Sequence, residues 1–305
     1  AGNSVTRDVN SFTIDTTAPT LAEVTAVTTP TNDNTSSYTF SSTEAGTISY
    51  SVCGGNLDNA SADNNTIIFD ALADGPHSDC KISVTDNASN TSDNLSVRSF
   101  TIDTVKPVLA QVTAVTTPTN TPVYSFSSTE AGTNSYGGNC GSSSTSATSS
   151  GLDNVTIILT QPDNSTALSA GLYDDCSITV TDSAGNPSTA LEVEEFIVDI
   201  TRPTVSSTSP WYPADNKISV SVSDNISVTF SESMDNTSVT TNTSNTTCSG
   251  SLQLSSDSFS TCVQMSSSPS SSSKANADDT FTVTPSLKMF YSATYKIRVT
   301  TAAED

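Results

Sequence analysis

Carboxylates recur in this 305-residue chain in motifs that could bring hard oxygen ligands together. One set is Asp15 of Phe12-Thr-Ile-Asp15, Glu44 of Ser-Thr-Glu44-Ala-Gly and Asp86 of Val-Thr-Asp86-Asn. A second is Asp103, Glu130 and Asp182 in the matching motifs, and a third opens with Asp199 and Glu232 and is completed by Glu304 or Asp305. Three carboxylates forced together repel one another, whereas Ca2+ takes about six to eight oxygen ligands, carbonyls and waters included. Convergence of a set would therefore make a structural Ca2+ site. The same residues have a metal-free reading, because Asp before a turn bonds its own backbone and Asp-x-Ala-Gly-Asn is a good turn sequence. The Asp-x-Asp-x-Asp-Gly spacing of an EF-hand loop is absent. A single histidine, His77, removes nearly every Ser-His-Asp, Cys-His and multi-His zinc arrangement. With no phosphate-cradling glycine loop and no nucleophile elbow, the sequence predicts no enzyme.

Whether the carboxylates meet depends on the elements that carry them. Hydrophobic residues make up 34 % of the chain, charged residues 14 %, and Ser plus Thr about a third. That balance could suit disorder, but short runs such as Tyr38-Thr39-Phe40, Ile48-Ser-Tyr-Ser-Val52 and Ile82-Ser83-Val84 alternate apolar and small polar residues. Alternation places one face of a strand in a core and the other in water. No stretch carries a helical apolar stripe, and none approaches the roughly 20 apolar residues of a membrane span. The expectation is an all-β protein without membrane insertion. Net charge is -22, from 32 acidic and 10 basic residues, so nucleic acid and anionic membranes are repelled and divalent cations are the favoured charged partners.

An internal repeat organises the chain. Phe12-Thr-Ile-Asp15-Thr-Thr-Ala-Pro19 returns as Phe100-Thr-Ile-Asp103-Thr-Val-Lys-Pro107 and as Phe196-Ile-Val-Asp199-Ile-Thr-Arg-Pro203, at steps of 88 and 96 residues. Behind the first two copies the match runs on to Tyr50 and Tyr136. About 90 residues with six or seven short strands and Asn/Asp/Gly/Pro turns is what an immunoglobulin-like sandwich requires. Three tandem Ig-like β-sandwich domains in a rod are predicted, at 16–103, 104–199 and 200–305, with 1–15 as the final strand of a preceding domain plus linker. The six cysteines fall two per repeat, Cys53 with Cys80, Cys140 with Cys176 and Cys248 with Cys262. An even count without Cys-x-x-Cys spacing favours disulfides and an oxidising compartment, free buried thiols being the other reading.

These segments reach a known family. Phe-Thr-Ile-Asp-Thr-Thr-Ala-Pro (12–19), Phe-Ser-Ser-Thr-Glu-Ala-Gly-Thr (40–47) and Val-Thr-Asp-Ser-Ala-Gly-Asn (180–186) resemble the bacterial Ig-like repeats of large surface adhesins, over residues 12–199. Residues 200–305 resemble a bacterial Ig-like module of surface-layer and secreted proteins, through Pro203-Thr-Val-Ser-Ser-Thr-Ser-Pro210, Ser227-Val-Thr-Phe-Ser-Glu-Ser-Met-Asp235 and Tyr295-Lys-Ile-Arg-Val299. The resemblance implies a non-enzymatic extracellular or cell-surface stalk and Ca2+-stiffened linkers. In such a sandwich the entering linker, the B–C turn and the F–G turn lie at one end, so each acidic set gathers at one pole. Trp211 and Tyr212 could be an exposed sugar-stacking platform or an aromatic pair packed on its neighbour. They are the surface a competing reading would use, a module binding a glycan or protein receptor through the third domain. A third class is an accessory region of a secreted enzyme. His77 and the serine tract 266–273 are read as loops.

The two ends fit each other. The third domain stops just after what should be strand F, at Tyr295-Lys-Ile-Arg-Val-Thr-Thr-Ala-Ala-Glu304-Asp305, and is expected to lack its own final strand. Residues 1–11, with Ser4, Val5, Thr6 and Val9, read as such a strand without a domain. Either the 305 residues are a window on a longer tandem protein, or residues 1–11 of one copy add to the open edge of another. Both imply head-to-tail continuity, with the chain itself or adjacent repeats as partner.

Overall fold

The computed structural model describes residues 2, 4–8, 10–147, 154–206, 211–272 and 279–305. Every regular element among them is a strand, as the alternation predicts. The chain divides into two compact units, residues 1–199 and 200–305, and the first contains two separate apolar clusters.

Around the first cluster run β1 (Leu21–Thr25), β2 (Ser37–Ser42), β3 (Gly46–Tyr50), β4 (Asn59–Ala60), β5 (Asp63–Ile68), β6 (Gly75–His77), β7 (Lys81–Asp86), β8 (Leu95–Ser96) and β9 (Phe100–Ile102). One antiparallel sheet has the order β1-β2-β5 and the other β4-β3-β7-β8, with β6 and β9 as a separate pair. The period-2 pattern explains how the sheets face each other. Tyr38, Phe40 and Ile67 point from the first sheet, and Ile48, Ile82 and Val84 from the second, into one buried cluster. The outer face explains the Ser/Thr abundance: Thr39 and Thr66 sit directly opposite and their hydroxyls hydrogen-bond at 2.9 Å. Ser125 with Thr156 (2.8 Å) and Thr229 with Thr280 (2.8 Å) repeat this in the other cores' sheets.

Around the second cluster the plan recurs as β10 (Leu109–Thr113), β11 (Val123–Ser128), β12 (Gly132–Gly137), β13 (Ser146–Ala147), β14 (Val155–Ile158), β15 (Gly171–Tyr173), β16 (Ser177–Thr181), β17 (Leu191–Glu192) and β18 (Phe196–Val198). Its sheets are β10-β11-β14 and β13-β12-β16-β17, with β15 paired to β18. The last strand of each repeat is thus split. Its first piece, β8 or β17, pairs with β7 or β16; its second, β9 or β18, pairs with β6 or β15 and bridges in parallel to Thr31 or Thr119. Phe100 and Phe196 anchor that second piece at 1 % exposure, each stacked at 5.4 Å on an aromatic ring of the neighbouring strand, His77 or Tyr173. His77 is therefore a strand residue, not a loop residue. A ring there has an apolar partner to cover, which the Gly-Pro context conceals.

The two repeats of the first unit are joined by direct bonds. Asn32 donates its amide to Ala184 O (3.1 Å) and its Nδ2 to Gly185 O (2.9 Å), and Asn186 Nδ2 donates to Asp103 O (2.8 Å). In the linker, Thr104 donates N and Oγ1 to Asp74 Oδ1 at 3.0 and 2.9 Å.

The second unit holds β19 (Trp211–Tyr212), β20 (Ile226–Thr229), β21 (Leu252–Ser255), β22 (Ser270–Ser272), β23 (Thr280–Val283) and β24 (Lys296–Val299). The orders are β19-β20-β23-β22 and β21-β24, and Val228, Phe281, Leu252 and Leu254 are among the residues in the core. Serine-rich residues 270–272 form a ladder with β23, so that part of the tract is an edge strand and not a loop. Sequence alternation could not reveal it, because identical side chains on both faces carry no period. Ser273 lies outside the described residues.

Candidate functional site

Strand register builds the acidic pole. β3 and β7 pair with Gly46 opposite Asp86, which sets the turn before β3 beside the end of β7. A Cβ at Gly46 would collide with the Thr85 carbonyl, so the glycine permits this approach, and Gly132 does the same against Thr181. Ser42 Oγ donates to Glu44 O at 2.6 Å and shapes the turn that carries Glu44. Asp86 Oδ1 accepts the amides of Ala88 and Asn90, both at 2.8 Å, and its Oδ2 accepts Asn90 Nδ2 at 2.8 Å. Asn90 Nδ2 also reaches Asp15 O at 3.3 Å, pulling the entering linker to the pole. The result is one carboxylate oxygen each from Asp15, Glu44 and Asp86, all within 4.8 Å of one another.

The second pole repeats this. Ser128 Oγ donates to Glu130 O at 2.6 Å, and Asp182 Oδ1 accepts the amides of Ala184, Gly185 and Asn186 at 2.8, 2.8 and 2.9 Å. Asn186 Nδ2 is shared between Asp182 Oδ2 and Asp103 O, both at 2.8 Å. Asp103, Glu130 and Asp182 again offer oxygens within 4.8 Å of one another. Asp199 ends the first unit, its amide donating to Thr119 O at 2.9 Å as that of Asp103 donates to Thr31 O. In the second unit Glu232 and Asp305 each bring an oxygen within 4.8 Å of the other's. Glu304 is the other candidate there. Its backbone is used locally, its carbonyl accepting from Asp235 N and Ser238 Oγ, both at 2.9 Å.

Electrostatics follow from the crowding. Burial, then the charges of Asp15 and Asp86, raise the pKa of Glu44; burial, then Asp103 and Asp182, raise that of Glu130. Asp86 moves the opposite way, lowered by its bond from Asn90 and by the backbone amides of the turn. The turn reading and the cation reading therefore share the Asp carboxylate oxygens and differ at the Glu side chains. The Asp side chains already serve turns, while Glu44 and Glu130 sit at a cost beside two like charges. A divalent cation could accept oxygens from all three carboxylates and remove that repulsion.

The other sequence-predicted residues are placed as follows. Cys53–Cys80, Cys140–Cys176 and Cys248–Cys262 are all disulfide-bonded. In the first two repeats the bridge closes the end of the sheet opposite the acidic pole, where β3 and β12 finish and β7 and β16 begin. Trp211 and Tyr212 are 39 % and 45 % exposed on an edge strand paired with β20, and Tyr212 Oη donates to Asp224 Oδ2 at 2.9 Å. Ser4, Val5 and Thr6 are exposed and not in a strand, and Val9 lies outside the described residues.

One pair of residues escaped the sequence reading. Asn90 and Asn186 clamp linker to turn, and the spacing Asp86-x-x-x-Asn90, repeated as Asp182-x-x-x-Asn186, was the signal. Phe12 and Ile14 align with Phe100 and Ile102, as the repeat requires of residues 1–15.

Residues 199–305 match the family described as Bacterial Ig-like domain, so the second unit is a bacterial Ig-like module. No curated protein matches the chain. Among solved structures, the crystal structure of the I9–I11 tandem from titin is similar at 8 % identity and a TM-score of 0.25, over 93 % of this chain and 97 % of that one. Family match, all-β topology and antiparallel sheets together make the chain a tandem of Ig-like sandwiches. Among the described residues, no helix is long and apolar enough to cross a membrane.

Proposed function

We propose that the chain is a non-enzymatic structural unit of an extracellular bacterial surface fibre or adhesin stalk, continuing head to tail through the residue 1–11 strand and an edge of residues 200–305. The observation that carries this reading is the pinned junction between the two repeats of the first unit. Four residues, Asn32, Asp74, Asn186 and Thr104, tie the linker and the facing turn together, which is what a bend-resistant shaft needs. The linker's Pro107 adds stiffness, because Pro fixes its own φ and restricts the residue before it. Three disulfides suit an oxidising, extracellular compartment. Ca2+ is the proposed cofactor, held at Asp15, Glu44 and Asp86 and at Asp103, Glu130 and Asp182, where it would neutralise the carboxylates and lock each linker to its turn.

The test combines calorimetric titration of the full chain with Ca2+ and residual dipolar couplings with and without chelator. Ca2+ uptake, with residues 16–103 and 104–199 reporting one alignment, is the expected result. Independent alignment of the two repeats in Ca2+ refutes the stiff shaft, and absence of uptake refutes the cofactor. A second reading, a module gripping a glycan or protein receptor, draws on the exposed Trp211 and Tyr212. A glycan array separates the two: a shaft binds nothing, and binding lost in Trp211→Ala favours the module.

A further inference from the structure

Seven large apolar side chains among the described residues are more than three-quarters exposed: Val5, Phe12, Ile14, Ile218, Leu287, Phe290 and Tyr291. They fall in two places only. The first place, residues 5–14, carries the third copy of a strand whose other copies are buried. Val9-x-x-Phe12-x-Ile14 matches Val97-x-x-Phe100-x-Ile102 and Val193-x-x-Phe196-x-Val198. In those two copies the Phe and the residue two beyond are 1–2 % exposed, against 83 % for Phe12 and 77 % for Ile14.

The second place matches the slot that such a strand fills. In the first repeat β9 lies between the Thr31 segment, with Thr31 N donating to Thr101 O at 3.1 Å, and β6. Those two flanks are tied to each other by Leu72 N donating to Asn34 O at 2.9 Å. In the second unit, Met289 N donating to Val222 O at 2.8 Å ties the corresponding flanks, residues 218–222 and 287–295. Ile218, Leu287, Phe290 and Tyr291 stand exposed along them. Single exposed apolar residues are ordinary, whereas a matched strand and slot within one sequence specify their occupant.

We infer that the Phe12–Ile14 segment of one copy inserts as a strand between residues 218–222 and 287–295 of a second copy, as β9 inserts between Thr31 and β6. This rests on the head-to-tail reading and names its strand, its slot and its partner. The contact joins different surfaces, so it propagates as an open filament. Main-chain bonds would supply affinity, and burial of Phe12 and Ile14 the specificity.

The test is light scattering coupled to size exclusion across a concentration series of the intact chain, with a photo-reactive residue at position 290. Expected are concentration-dependent multiples of the 31.5 kDa chain, with adducts on residues 11–15 of another copy. Phe12→Asp with Ile14→Asp should raise the concentration for half-assembly at least about a hundredfold. Both positions are exposed, so the monomer's melting should be unchanged. A monomer at every concentration overturns the inference but leaves the shaft reading, which is measured on the monomer. Undiminished assembly in the double variant, or adducts elsewhere, overturns the inference while leaving head-to-tail joining intact.

Discussion

Truncating Phe100 and truncating Phe12 should have opposite consequences although both residues occupy the same motif. Phe100 is 1 % exposed and stacks on Phe69 at 5.8 Å and on His77 at 5.4 Å. Removing a ring from such a site costs about 3–5 kcal/mol, because the transfer energy is lost and the cavity only partly collapses. Against a domain stability of roughly 5–15 kcal/mol this is a large fraction. At about 4 °C or more per kcal/mol for a domain of this size, Phe100→Ala should lower the melting of the first repeat by at least about 12 °C. Phe12 is 83 % exposed, so Phe12→Ala in dilute monomer should stay within about 0.5 kcal/mol of the parent. The assay is differential scanning calorimetry of the full chain with its transitions assigned by hydrogen exchange. A Phe100→Ala transition indistinguishable from the parent would refute the packing argument. Equal losses for both variants in dilute solution would refute the exposed placement of Phe12 in the monomer.

Opening the disulfides by Cys→Ala pairs should cost about 3–4 kcal/mol at Cys53–Cys80 and Cys140–Cys176, whose cysteines are 27 and 36 residues apart, and slightly less at Cys248–Cys262, 14 apart. Chemical denaturation read per domain checks the order, which fails if the third bridge contributes most. Ser89 holds φ at 72° where the second repeat uses Gly185 at 95°, so Ser89→Gly should stabilise the first repeat by up to about 1 kcal/mol; any loss on thermal melting contradicts this. Glu44 and Glu130 have raised pKa values, so the native state holds protons that the unfolded chain has released. Stability in chelator should therefore fall as pH rises from the ordinary glutamate range through the raised values. Glu44→Gln with Glu130→Gln should flatten that slope and remove any stabilisation by Ca2+. A slope unchanged in the double variant, measured by melting across pH, counts against the crowded-carboxylate account.

Much of the site was legible because the repeat supplied its own comparison. Duplicated motifs marked which Asp and Glu belong together, and antiparallel geometry then required that linker, B–C turn and F–G turn share an end. The clamp carried no such mark. Asn90 and Asn186 look like ordinary turn residues until the linker carbonyl is seen within reach of their side-chain amides. The choice between Glu304 and Asp305 was likewise open in the sequence, and Asp305 is the one that comes within 4.8 Å of Glu232.

By itself the sequence determined the strand content, the paired cysteines and the facing of Tyr38, Phe40, Ile82 and Val84, since all of these follow from period-2 alternation and an internal repeat. Only the tertiary structure decided which residues are held apart from their own pattern. Phe12, Phe100 and Phe196 share one local motif, yet two are buried and one is bare. Burial depends on partner strands outside the motif, β6 or β15 for the two buried copies, and the motif itself does not record them.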